Sequence, residues 1–186
     1  MNDQAQSPQS ARPAFEDFNP QQPVTSYGRI ALQVMSNPKI FFASMAQKGG
    51  FQPPALFAVI SFVVPAVGIA LINQQPSAMG LNLALAAGWV FFAFVLHFIV
   101  TRAVPGQGDF EATFRILAYS SFTNLTGIIP FMAMSIAAFF YGLYLTVQGL
   151  MAVHRLTLGQ TIKAIALFLA AQLIISLFVV KLLIAL

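Results

Sequence analysis

The sequence has no cysteine, which removes disulfides, thiolate nucleophiles and Cys-ligated metals together. Charge is almost as scarce. Only 8 % of the 186 residues are charged, 58 % are hydrophobic, and the mean hydropathy is +0.79. An average soluble domain carries roughly a quarter charged residues, and a water-soluble globule of this size could not cover itself with so few. A soluble enzyme, a disordered protein and a nucleic-acid binder are thereby excluded, the last despite a net charge of +4, because the nine basic residues form no patch. The chain reads as an integral membrane protein.

The absences are also local. No Asp, Glu, Lys or Arg occurs from Gly49 to Thr101, or again from Ile116 to His154. At ~1.5 Å per helical residue the first stretch is far too long for one crossing. Its only polar cluster, Asn73-Gln74-Gln75-Pro76-Ser77, marks the turn. The spacing predicts spans near 54–72 and 81–101, with Pro65 and Gly68 kinking the first. The second stretch predicts a polar segment at 114–129, either a span inside the bundle or partly re-entrant, a bend at Thr126-Gly127 and Pro130, and a span at 131–153. A fifth span covers 162–184. The expected fold is therefore all-α, a polytopic bundle of five transmembrane spans over residues 51–186.

Before the bundle, residues 1–26 are rich in Gln, Pro, Ser and Asn and are expected to be a disordered tail. Phe15 and Phe18, with Glu16 and Asp17, could make a short docking motif within it. No apolar run of signal-peptide length occurs there, so no cleaved leader is expected. Residues 27–50 are predicted to hold an amphipathic helix lying in the membrane interface, capped at Asn37-Pro38 and stopped at Gly49-Gly50, with Lys39 and Lys48 at lipid headgroups. With five spans, eight of the nine basic residues fall on one side, which places the N-terminus in the cytoplasm and the C-terminus outside.

Few residues suggest chemistry. The predicted spans contain no carboxylate, and there is no G-x-S-x-G, H-E-x-x-H or phosphate-cradling glycine loop. No catalytic residue, cofactor or metal site is expected. The polar groups predicted inside the bundle are His97, Tyr119, Asn124 and Thr126. Partner or lipid contacts are assigned to Lys39, Lys48, Asp109, Glu111, Arg115, His154 and Arg155. Asp109 also fits as an N-cap. Small-residue pairs, Ala66 with Ala70, Ala84 with Gly88 and Ala166 with Ala170, would allow close helix packing.

Three segments resemble the Yip domain family, five-span membrane proteins named for interaction with Ypt/Rab GTPases. They are Asn37-Pro38-Lys39-Ile40-Phe41-Phe42; Gly108-Asp109-Phe110 through Tyr119-Ser120-Ser121; and Tyr141-Gly142-Leu143-Tyr144 through Val153-His154-Arg155-Leu156. One departure is Phe122-Thr123 where the family usually has proline. The short tail, without a developed acidic region, is similar to bacterial members. The resemblance implies an inner-membrane protein with trafficking or membrane-organising partners, and a GTPase partner by that resemblance alone. The expected role is a non-enzymatic scaffold or adaptor that binds lipids, other membrane proteins or itself. The alternatives are a small oligomeric transporter or channel, and an accessory subunit of a larger complex.

Overall fold

A computed structural model describes residues 16–73, 76–129 and 131–185, and among these every regular element is a helix. In chain order they are α1 (Pro23–Ser36), α2 (Pro38–Ser44), α3 (Gln52–Asn73), α4 (Pro76–Arg102), α5 (Phe110–Ser120), a 3-10 helix (Ser121–Ile128), α6 (Met132–Val153) and α7 (Leu158–Ala185). Three segments are long and apolar enough to cross a membrane: Gln52–Ile72, Met132–Val153 and Leu158–Val179. The described apolar part of α4 is the shorter Gly88–Arg102. Gln74, Gln75 and Pro130, parts of the two predicted turns, lie outside the described residues.

The predicted third span takes an unexpected form. Asp109 does cap α5, accepting the Ala112 N–H at 3.0 Å, but the α-helix lasts only 11 residues before tightening into the eight-residue 3-10 helix. The hydroxyls explain the change of pitch. Ser121, Thr123 and Thr126 each donate to the carbonyl three residues back, at 2.6, 3.2 and 2.8 Å. Such local side-chain bonds compete with the α ladder, and the tighter 3-10 turn is the usual outcome in short stretches. The change falls at Ser121, just before Phe122-Thr123, where the family usually has proline. α5 sits at the centre of the bundle, and most of its side chains from Ala112 to Ser120 are buried.

The N-terminal region differs more. Residues 16–26 do not form a solvated tail: Phe18 is 3 % exposed and α1 begins at Pro23, a helix-starting position for proline. Residues 27–50 hold two helices that break at Asn37 and pack along the flank of the bundle, where a single flat interfacial helix was expected. Tyr27 stacks on Phe57 at 4.3 Å between ring centroids, and its hydroxyl meets Ser61 Oγ at 2.8 Å, nine residues into α3. Burial pushes the Tyr27 phenol up to about 12. Tyr141, nine residues into α6, donates to the Met35 carbonyl at 3.0 Å. Phe41, Phe42 and Met45, expected to face lipid, join the protein core instead, while Ile40 stays exposed. Protein offers them shaped partners as well as exclusion from water.

α5 and α6 approach closely at one point. A Cβ placed on Gly149 would lie 2.4 Å from Ile116 Cγ2, so only hydrogen fits. Of the small-residue pairs read from the sequence, Ala66 is buried, whereas Ala166 and Ala170 are exposed. The side chain of Ala84 lies outside the described ones.

Candidate functional site

The polar groups gather at one end of the bundle, where α3 begins, α4 ends, α5 begins and α6 ends. The centre is Arg115, whose side chain is completely buried. Its Nη1 donates to Asp17 Oδ2 at 2.8 Å, its Nε to Glu111 Oε1 at 3.0 Å and its Nη2 to the Gly50 carbonyl at 2.9 Å. The Tyr119 hydroxyl donates to the other Asp17 oxygen, and Glu111 Oε1 also accepts the Gly50 N–H at 2.8 Å. A guanidinium out of water requires this many acceptors, because a buried charge is tolerated only when paired and hydrogen-bonded.

Glycine makes the arrangement possible. Gly49 and Gly50 have φ of 149° and 90°, and a Cβ on Gly49 would stand 3.0 Å from Arg115 Nη2. The helix from Pro38 already ends at Ser44, so Gly49-Gly50 is not the stop expected of it and instead makes a close backbone approach to the guanidinium. Beside it, Lys48 Nζ lies 3.7 Å from Asp109 Oδ2, an exposed contact that adds little.

A second set of bonds ties α4, α5 and the end of α6. The Gly108 N–H donates to His154 Nδ1 at 3.0 Å, so the proton of the neutral ring belongs on Nε2. That nitrogen meets Thr113 Oγ1 at 2.9 Å, and Thr113 Oγ1 in turn meets His97 Nδ1 at 3.0 Å. His154 is fully buried, and burial, reinforced by nearby His97 and opposed by Asp109, pushes its imidazole down to about 4. A Cβ on Gly108 would come within 2.7 Å of the His154 ring. The loop before α5 thus lies directly on the histidine.

These positions revise several assignments. Arg115 and His154 were read as outward contacts with partners or lipid, and both are buried and internally bonded, because charge and imidazole here hold segments of one chain together. Glu111 is mostly covered by Arg115 and Gly50. Lys39, Lys48, Asp109 and Arg155 are exposed; Arg155 has a φ of 55° just beyond α6. Of the four polar groups predicted inside the bundle, Tyr119 is buried and His97 half-buried in the chain just described. Asn124 is exposed, on the rim of a recess of about 180 Å³ with Thr126 and Ser135, because the tighter 3-10 helix turns it outward. Thr126 uses its hydroxyl on its own backbone. Sequence reasoning missed Asp17 and Thr113 as functional partners. The acidic–aromatic character of residues 15–18 was the available signal for Asp17, and Thr113 had none.

Among the described residues, no group of three or more His, Asp or Glu side chains could hold a metal. What the arrangement does is join segments distant in sequence. The Yip1 domain model matches residues 32–180. The chain belongs to the Yip1 domain family. No curated protein and no solved structure matches it. The matched range covers Gly50, His97, Glu111, Arg115, Tyr119 and His154, and leaves Asp17 and Phe18 outside. As a Yip1-family chain with several apolar helices of spanning length, the protein is an integral membrane protein.

Proposed function

We propose that this Yip1-family protein is a non-enzymatic membrane scaffold, with five crossings and its charged end in the cytoplasm of a bacterial inner membrane. The observation that carries the reading is the consumption of the charged end in internal ties: Asp17, Gly50, Glu111 and Arg115 on one side, Gly108, Thr113 and His154 on the other. Those ties make a firm platform, and they leave Lys39, Lys48, Asp109 and Arg155 exposed for soluble partners or anionic lipid.

Five crossings are supported by which ends meet. The turn just before α3 touches Arg115 in α5, and the end of α6 touches the loop after α4. At the opposite end, a Cβ on Gly68 of α3 would meet Ile128, the last residue of the 3-10 helix. α5 and the 3-10 helix together extend about 30 Å at their usual rises, the thickness of a hydrocarbon core. The charge asymmetry gives the orientation.

The test is lysine-directed cross-linking in native membranes followed by mild purification. The scaffold reading expects a reproducible membrane-protein partner. Recovery of the chain only as a defined oligomer that carries solute across liposomes would overturn it in favour of a transporter. The recess beside Asn124 and Thr126 reaches neither Tyr119 nor His97, which argues against a continuous polar path.

A further inference from the structure

Asp17 and Phe18 behave like a ligand seated in a site built by other parts of the chain. Both carboxylate oxygens of Asp17 are held, one by Arg115 Nη1 and the other by the Tyr119 hydroxyl and the Phe18 N–H. The Phe18 ring, 3 % exposed, packs edge-on against Phe57 at 6.2 Å between centroids. One acid and one aromatic, adjacent in sequence, fill one cationic and one aromatic subsite.

The seat has partners of its own besides the occupant. Arg115 keeps Glu111 and the Gly50 carbonyl when Asp17 leaves, so its charge stays paired. Phe57 remains stacked on Tyr27 and edge-packed against Tyr119. The occupant's flanks are tied only to α1 beside them, Glu16 to Arg29 and the Asn19 N–H to Ser26 Oγ at 2.8 Å. Glu16 and residues 19–22 are exposed, and the Asp17 side chain is 28 % exposed, so the seat opens at its edge. The seat also lies within the matched domain, residues 32–180, whereas the occupant lies before it.

We propose that Arg115, Tyr119 and Phe57 form an exchangeable docking site for an acidic–aromatic peptide, and that Asp17-Phe18 is its resident occupant, displaced by an Asp–Phe-type segment of a partner protein. Charge complementarity to Arg115 and the chemistry of the resident segment define that partner. The proposal rests on the scaffold reading and names how a partner is captured.

The absence of native cysteine makes the test direct. The full chain carrying Gln21→Cys takes a single spin label and is held in nanodiscs. A synthetic peptide with the sequence of residues 14–20 is then titrated. Exchange predicts a saturable rise in label mobility, abolished when the peptide's Asp and second Phe are replaced by Asn and Ala. Asp17→Asn in the protein should tighten peptide binding at least tenfold, because the resident competitor is weakened. Phe18→Ala makes the same comparison if that variant does not fold. Failure of both variants to fold overturns the proposal, since exchange requires a bundle that stands without its segment. An unchanged label at millimolar peptide, or an equal response to the altered peptide, also overturns it. Loss of peptide binding while a cross-linked partner persists removes only this docking site. Peptide binding with no partner in native membranes removes the scaffold reading instead.

Discussion

The two ends of the bundle use polar groups in opposite ways. At the charged end, Arg115, Asp17, Glu111, Gly50, Thr113 and His154 bond across the chain, joining residues 98 and 41 positions apart in two of the contacts. At the other end, Ser121, Thr123 and Thr126 bond only to carbonyls of their own turn. Among the described residues, the far end lines recesses of about 200 and 180 Å³ that share Gly127 and Ser135. Long-range pairing fixes the relative positions of segments, whereas local pairing fixes only a helix's pitch. The charged end should therefore resist change, and the far end should tolerate it.

The most damaging way to break this contrast is Arg115→Met. It leaves two carboxylates facing each other without their cation, and breaking a buried pair costs roughly 3–5 kcal/mol. Thermal unfolding in detergent should show a large fall in midpoint. A midpoint within a degree or two of wild type would mean that the clasp does not hold the end together.

A proton should act on the same end more gently. His154 is held neutral down to about 4, below the ordinary histidine value of 6.5. Between those limits the unfolded chain takes up a proton that the folded chain refuses, so stability is full above pH 6.5 and declines as pH falls toward 4. The decline is on the order of 2–3 kcal/mol, read as the difference between wild type and His154→Asn across that window. Equal slopes for the two proteins would exclude His154 as the source.

The α5–α6 contact gives a sharper comparison. Gly149→Ala places a methyl 2.4 Å from Ile116 Cγ2, and overpacking of this kind costs roughly 1–3 kcal/mol. Adding Ile116→Val or Ile116→Ala should recover part of the loss if contact at that point is the cause. Additive losses in the double variant would point elsewhere. At the tolerant end, Asn124→Leu should change the unfolding midpoint by less than about 0.5 kcal/mol equivalent, since the side chain is exposed. A large effect there would erase the distinction between the two ends.

Much of the helical pattern was legible because charge-free runs and polar turns report apolar helices directly. Asp109 as the cap of α5 was legible for the same local reason. The 3-10 segment was not, since it arises from three hydroxyls back-bonding in succession within a run that is apolar enough to read as a span. The inward pairing of Arg115 was also hidden. Its partners lie at positions 17, 50 and 111, and only the nearest of them shares a helix face with it. Hydropathy reads residues 16–22 as tail because two anchoring side chains cannot outweigh the polar residues around them.

The order of these partners along the chain bears on how the protein is made. A helix carrying Glu111, Arg115 and several hydroxyls is a poor candidate to enter lipid alone. Yet Asp17 and Gly50 leave the ribosome before Arg115, and Glu111 only four residues ahead of it. Every acceptor that neutralises the guanidinium is already synthesised when α5 emerges. The N-terminal segment can thus serve as a template that receives a reluctant helix, with α6 closing over it afterwards through Gly149.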